Sequence, residues 1–230
     1  MKLRRLKRLI YITCSILLIL SQTTTTSVSA TTSTNIEDNK ETQVSQEESL
    51  DKPNNSNTKE TSWPKGPKVT AESAIVMEVS SGLILYEKDI YEKHYPASIT
   101  KILTTLLAIE NSSLSDTVTF SRDAIFGVDM DSSRIAVDVG EKLSMEDCLY
   151  AIMLSSANEV SYGVAEHVGG TMENFVTMMN DRTKELGCVN THFTNPHGLH
   201  NENHYTCAYD MALIASEAIK NTTFAKITGS

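Results

Sequence analysis

The sequence predicts an α+β domain, a β-hairpin followed by a helix-rich body. Three observations lead there. The stretch "ESAIVMEVSSGLILYEKD", residues 72–89, holds two apolar segments around Ser80, Ser81 and Gly82, which supply a turn. From residue 98 onward, apolar residues recur mainly at helical spacing. The 230 residues suffice for one large domain or two small ones, and no internal repeat divides them.

Residues 1–30 stand apart from that domain. "MKLRRLKR" is a basic segment, "LIYITCSILLIL" an apolar run of 12 residues, and Val28 and Ala30 are small residues before a cleavage point. This is the layout of a secretory signal peptide. The run is short for a bilayer span, which needs about 20 apolar residues; the alternative is an uncleaved N-terminal anchor. Residues 31–65 are rich in Ser, Thr, Asn, Gln and Glu, with Ile36, Val44, Leu50 and Trp63 isolated among them. Such a segment buries too little surface to offset its ordering entropy and reads as a disordered linker. "WPKGP", 63–67, closes it with turn formers.

Within residues 66–230, Ile99, Ile102, Leu103, Leu106 and Leu107 predict a helix over 98–110. Ser144 and Asp147 resemble a capping box that opens a helix through "MEDCLYAIML". "EVSYGVAEHV" is a second helix, stopped by Gly169 and Gly170. "MENFVTMMNDRTKEL" is a third, with Thr171 as N-cap and Gly187 as C-cap, and its methionines read as core filling. "AYDMALIASEAIKN" is the last. Partner strands for the hairpin are not visible in residues 111–230.

Charge and cysteine usage exclude several functions. The leader carries five of the 20 basic residues and no acid, so 15 Lys and Arg remain against 29 Asp and Glu, a formal charge of −14. An acidic surface argues against nucleic acid and anionic lipid as partners. Cys148, Cys188 and Cys207 form neither an even set nor a C-x-x-C, so unpaired, buried thiols are expected. His192, His197, His200 and His204 cluster near Glu202 without a metal-ligand spacing; hydrogen bonding within a loop is the expected role, with no metal and no cofactor. "DMDSSR", 129–134, lacks EF-hand spacing and reads as a surface loop.

The chemistry concentrates in "YPASITKILTTLLAIE", 95–110. Serine is a weak nucleophile until a base takes its proton, and no G-x-S-x-G elbow is present. Lys101 lies three residues after Ser98, on the same helix face. A free lysine, with a pKa of about 10.4, is charged at neutral pH; burial against an apolar core penalises that charge and yields a neutral amine beside the hydroxyl. S-x-x-K by itself is also the pattern of a capping serine followed by a surface lysine. A second element is Ser156-Ala157-Asn158, between two apolar helical runs. Either it simply caps the next helix, or it aims a second hydroxyl and an amide into a cleft.

S-x-x-K followed by S-x-N is the pairing found in penicillin-binding proteins and class A β-lactamases. Residues 72–226, about two-thirds of the chain, resemble the serine-type D-alanyl-D-alanine carboxypeptidases, the low-molecular-mass penicillin-binding proteins. "YPASITKILTTLLAIE", "IMLSSANEVSYGVAEHVGG" and "NTHFTNPHGLHNENHYTCAYDMALIA" carry the likeness. It implies a β-lactamase/transpeptidase-like fold, a helical subdomain plus an antiparallel sheet. It implies Ser98 as nucleophile, Lys101 as its base, Ser156 as a proton relay and Asn158 as a substrate-positioning group. The implied partners are a peptidoglycan stem peptide ending in D-Ala-D-Ala and β-lactam antibiotics. The implied place is the cell envelope, at the outer face of the cytoplasmic membrane, with membrane contact only through the leader or a C-terminal tail.

The resemblance also implies a third motif, Lys-Thr-Gly, which is not present; Lys226-Ile227-Thr228-Gly229 has one residue too many. The expectation is therefore a C-terminally truncated catalytic domain with only the first hairpin of its sheet. The hairpin and the 98–110 helix are expected to be left uncovered, and activity to be poor. A non-catalytic wall-binding module and a β-lactamase on the same fold are the alternative functions.

Overall fold

The computed structural model describes residues 66–230. The predicted signal peptide and linker, 1–30 and 31–65, lie outside the described residues. Strands β1 (Ala74–Met77) and β2 (Ile84–Lys88) form the predicted antiparallel hairpin, with an irregularity between Val76 and Met77. Its turn is held by Glu78, whose carboxylate accepts from the hydroxyls and backbone N–H groups of Ser80 and Ser81. Those bonds, the Ser81 hydroxyl foremost, hold the Glu78 carboxyl down to about 2.

A 3-10 turn, Ala97–Thr100, leads into α1, Lys101–Asn111. The remaining helices are α2 (Arg122–Phe126), α3 (Met145–Ser155), α4 (Asn158–Gly169), α5 (Met172–Glu185), α6 (Ala208–Lys220) and α7 (Thr222–Thr228). Side chains cap several of them as the sequence predicts. Ser144 Oγ accepts from the Asp147 N–H at 3.1 Å, and Thr171 Oγ1 from the Asn174 N–H at 3.1 Å. Gly187, at φ +82°, follows the true cap, Leu186.

Several features differ from the reading of the sequence, the short helices α2 and α7 among them. A second antiparallel ribbon pairs β3 (Thr117–Thr119) with β4 (Lys142–Ser144). Three residues per strand are too few to show a period of two. The 98–110 helix, expected to be uncovered, is the central helix: α3, α4, α5, α6 and α7 all pack against α1. On the hairpin, Val76, Val79, Leu83 and Leu85 are exposed, as expected, and Ile99 ahead of α1 is exposed as well.

The core has two parts that meet along α1. In one, Val118 of β3 and Phe120 just beyond it pack on Cys148, Leu149 and Ile152 of α3 and on Val160 and Val164 of α4. The Phe120 ring lies so close to Gly163 that a Cβ there would meet it at 2.6 Å, so α4 needs glycine at this crossing. In the other, Leu103, Leu106 and Leu107 of α1 pack on Phe175, Met179, Phe193, Ile214 and Phe224. The three described cysteines are free, and Cys148 and Cys207 are buried.

Because Leu103 is fully buried, Leu103→Ala is expected to cost ~2–5 kcal/mol in urea unfolding. Leu154→Ala, at a side chain 57% exposed, should stay within ~0.5 kcal/mol of the parent.

Candidate active site

The first residue of α1 carries the group on which the site is built. Lys101 is 2% exposed. Its Nζ donates to Asn158 Oδ1 at 2.7 Å, to the His197 carbonyl at 2.6 Å and, at a longer 3.3 Å, to Ser98 Oγ. Ser98, in the 3-10 turn, is exposed. Its Oγ also accepts from Ser156 Oγ at 2.9 Å. The four residues singled out in the sequence, Ser98, Lys101, Ser156 and Asn158, thus converge in one hydrogen-bonded group.

Each is placed by a different device. Ser156 terminates α3 in the left-handed region, φ 53° and ψ 34°, and that reversal turns its hydroxyl toward Ser98. Asn158 opens α4, whose N-cap, Ala157, has no capping side chain. The Asn158 N–H is satisfied instead by the Ser133 carbonyl at 2.9 Å, and Ser133 Oγ donates to the Ser155 carbonyl at 3.0 Å. Arg134 donates to the Ile125 carbonyl at 2.8 Å. The 129–134 segment is therefore a brace for the α3–α4 turn and not merely the surface loop expected.

The third side of the site is the turn at 195–199. Asn195 Oδ1 accepts from the Gly198 N–H at 2.7 Å, and its Nδ2 donates to the Leu199 carbonyl at 2.9 Å. Thr104, one turn after Lys101, donates to the Pro196 carbonyl at 2.7 Å. Lys101 and Thr104 together tie this turn to α1. Gly198, at φ +86°, presses on the backbone before Ser98: a Cβ there would meet the Ala97 carbonyl oxygen at 1.8 Å.

His192, His197 and His204 follow the expected hydrogen-bonding role, while His200 packs edge-on against Tyr95. His204 Nδ1 accepts from the Thr194 N–H at 3.0 Å, so its Nε2–H donates to the buried Thr100 hydroxyl at 2.8 Å. His192 Nδ1 donates to the Asn203 carbonyl at 2.6 Å. Burial lowers His204 to about 4, and burial together with the Lys101 charge lowers His197 to about 3. Both rings are neutral at physiological pH. Among the described residues no three His, Cys, Asp or Glu side chains are grouped to hold a metal ion.

Burial pulls Lys101 down from 10.5 to about 8, against the opposing charge of Glu159. The neutral amine expected from the sequence is then a minority form, roughly a tenth of the molecules at pH 7. Chemically the site offers a hydroxyl already accepting two hydrogen bonds and an amine able to take its proton. Sequence reasoning missed Glu159, which is fully buried. An acid inside the apolar run that opens α4 was the available signal. The near-motif Lys226–Gly229 is not a third arm of the site: it runs along the end of α7, with Lys226 paired to Glu146 at 3.3 Å and Ile227 in the core.

Comparison with known proteins bears on the family and the fold. The sequence profile of a family described as D-alanyl-D-alanine carboxypeptidase, peptidase S11, matches residues 57–230. The D-alanyl-D-alanine carboxypeptidase DacF of Bacillus subtilis is 41% identical over 165 residues, 70% of this chain and 42% of the relative. Penicillin-binding protein 5 of Haemophilus influenzae superposes with a TM-score of 0.65 at 32% identity, covering 69% of this chain and 47% of that one. The Streptomyces K15 DD-transpeptidase superposes at 0.66 with 28% identity, covering 71% and 66%. The chain spans about 40% of the length of the first curated relatives it matches. It belongs to the D-alanyl-D-alanine carboxypeptidase family.

Proposed function

We propose that this chain carries the acylation centre of a serine D-Ala-D-Ala carboxypeptidase acting on peptidoglycan stem peptides. The observation that carries the reading is the contact series Lys101 Nζ–Ser98 Oγ–Ser156 Oγ, 3.3 and 2.9 Å, built around a buried amine. In the neutral form Lys101 takes the Ser98 proton as Oγ bonds to the carbonyl carbon between the two D-alanines. The proton then passes through Ser156 to the departing nitrogen, the C–N bond breaks, and D-alanine leaves an ester on Ser98. Water attacks that ester, frees the shortened peptide and restores the hydroxyl. Asn158 Oδ1 is engaged by Lys101, so its amide nitrogen is the end that positions the peptide. A β-lactam, whose ring amide stands for the scissile bond, acylates Ser98 by the same steps.

The place of action follows from the chemistry and from the leader-like residues 1–30: outside the cytoplasmic membrane, in the cell envelope. Among the described residues no helix is long and apolar enough to cross a membrane.

Fluorescent penicillin should label the full-length protein covalently, and Ser98→Ala should abolish the label. A label that survives in Ser98→Ala contradicts the proposal, and no label on the parent favours a non-catalytic binder of the wall. Rapid turnover of the penicillin would instead mark a β-lactamase. Lys101→Ala should slow acylation by about 100- to 10,000-fold while its far-UV circular dichroism matches the parent's. The pH dependence has a defined sign. The reactive amine is the deprotonated form, so acylation should plateau above the Lys101 value of about 8. Below it, the rate should fall about tenfold per pH unit.

A further inference from the structure

Glu159 is fully buried next to the site, yet none of the proposed chemical steps uses it. Its Oε1 accepts from two consecutive backbone N–H groups, Ile135 at 2.8 Å and Ala136 at 3.0 Å. Ala136 is held at φ +61°, a conformation an L-residue adopts only under constraint. The segment so anchored begins at Ser133, which satisfies the Asn158 N–H and grips the Ser155 carbonyl. The other oxygen, Oε2, is buried without a hydrogen-bonding partner. A buried carboxylate oxygen left unpaired is costly unless a positive charge compensates it.

The Lys101 ammonium is one positive charge whose field reaches Glu159, and Asn158, which Lys101 bonds, is the residue before Glu159. Arg134, beside Ile135 in the brace, donates to the Ile125 and Val128 carbonyls, and other ionisable groups of the surrounding elements are engaged elsewhere. His197 faces Lys101 from the 195–199 turn and is neutral. On α4, Glu166 accepts from Ser121, and His167 faces Asp116. From α3, Glu146 pairs with Lys226 of α7, and Asp147 bonds Ser144. From α5, Arg182 pairs with Glu110 of α1 itself and with Glu217 of α6. Asp210 of α6 is taken by the Val189 and Asn190 N–H groups.

We propose that Glu159 is a positioning residue for the acylation step: it anchors the 133–137 brace behind Ser156 and Asn158, and its charge opposes the loss of the Lys101 proton that burial favours. The inference rests on the reading of Lys101 as the base. It assigns Glu159 no contact with substrate. The carboxylate acts through the α3–α4 turn by its hydrogen bonds and through Lys101 by its field. An acid here keeps the base protonated, and bound to Asn158 and His197, until the pH or an incoming substrate releases the proton.

The test titrates Lys101 directly in the full chain, labelled with carbon-13 lysine, the resonance being assigned by its loss in Lys101→Arg. Glu159→Gln keeps an amide oxygen for Ile135 and Ala136 but removes the charge. An opposite charge favours the protonated amine, so its removal should lower the Lys101 midpoint by about one pH unit. The acid limb of penicillin acylation should move with it, giving up to ~10-fold faster acylation at pH 6. Glu159→Asp, which draws the charge back by one methylene, should lower the midpoint by less, and it carries the test if Glu159→Gln does not fold. A midpoint unchanged or raised in the variants that fold overturns the inference, because a purely structural role leaves the Lys101 titration where it was. If the midpoint falls but no form of the chain is acylated, the role of Glu159 stands and the reading of the chain as an acylating enzyme fails.

Discussion

Withdrawing the Lys101 ammonium from water costs on the order of several kcal/mol unless acceptors replace its hydration. Every part of the site meets that demand. Asn158 Oδ1 comes from the start of α4 and the His197 carbonyl from the 195–199 turn. The ammonium is thus the point where three separate pieces of chain are held together. Ser98 is its weakest partner, at 3.3 Å. The strong bonds fix the amine, and the weak one leaves the nucleophile free to turn toward a carbonyl.

Holding these pieces requires backbone that is not at rest. Of the four described non-glycine residues with positive φ, three are at the site: Ala97 before Ser98, Ser156 itself, and Ala136 on Glu159. Each such residue costs of order 1–3 kcal/mol and persists only where its surroundings over-determine it. Here the surroundings are identifiable. Gly198 packs against the Ala97 carbonyl, Ser156 Oγ bonds Ser98, and the Ala136 N–H is bound by a buried carboxylate. Strain concentrated this way orients groups that an unstrained turn would leave pointing to solvent.

Features set by local pattern were legible in the sequence. The hairpin, the five longer helices and the caps at Ser144 and Thr171 rest on periodicity and on side chains within three residues of the N–H groups they satisfy, whereas the short α2 and α7 were not legible. The four site residues could be read because their spacing reflects the chemistry. The features that escaped reading are long-range. The three-residue strands β3 and β4 exist by pairing across more than 20 residues of intervening chain. The 129–134 segment reads as polar surface because its role is played by the Ser133 carbonyl and by Arg134 reaching back to Ile125. Glu159 looks like one more charge at a helix start, where acids are favoured by the dipole anyway. Its burial depends on the fold of residues 133–137.

The helix that presents the base is also the one that the core is built around. Lys101 and Thr104, three residues apart, face the 195–199 turn, while Leu103, Leu106 and Leu107 face the aromatic core of α5 to α7. Packing at interior density permits little sliding, so the position of the amine is set by the leucines behind it. The choice of lysine follows from the same burial. An arginine in this place would stay charged at any physiological pH and could not take a proton from Ser98. A lysine near the surface would stay above 10 and act only as a fixed cation. Depth in the core is what brings this amine to about 8. The packing that stabilises the domain and the basicity that the proposed chemistry needs therefore come from the same helix.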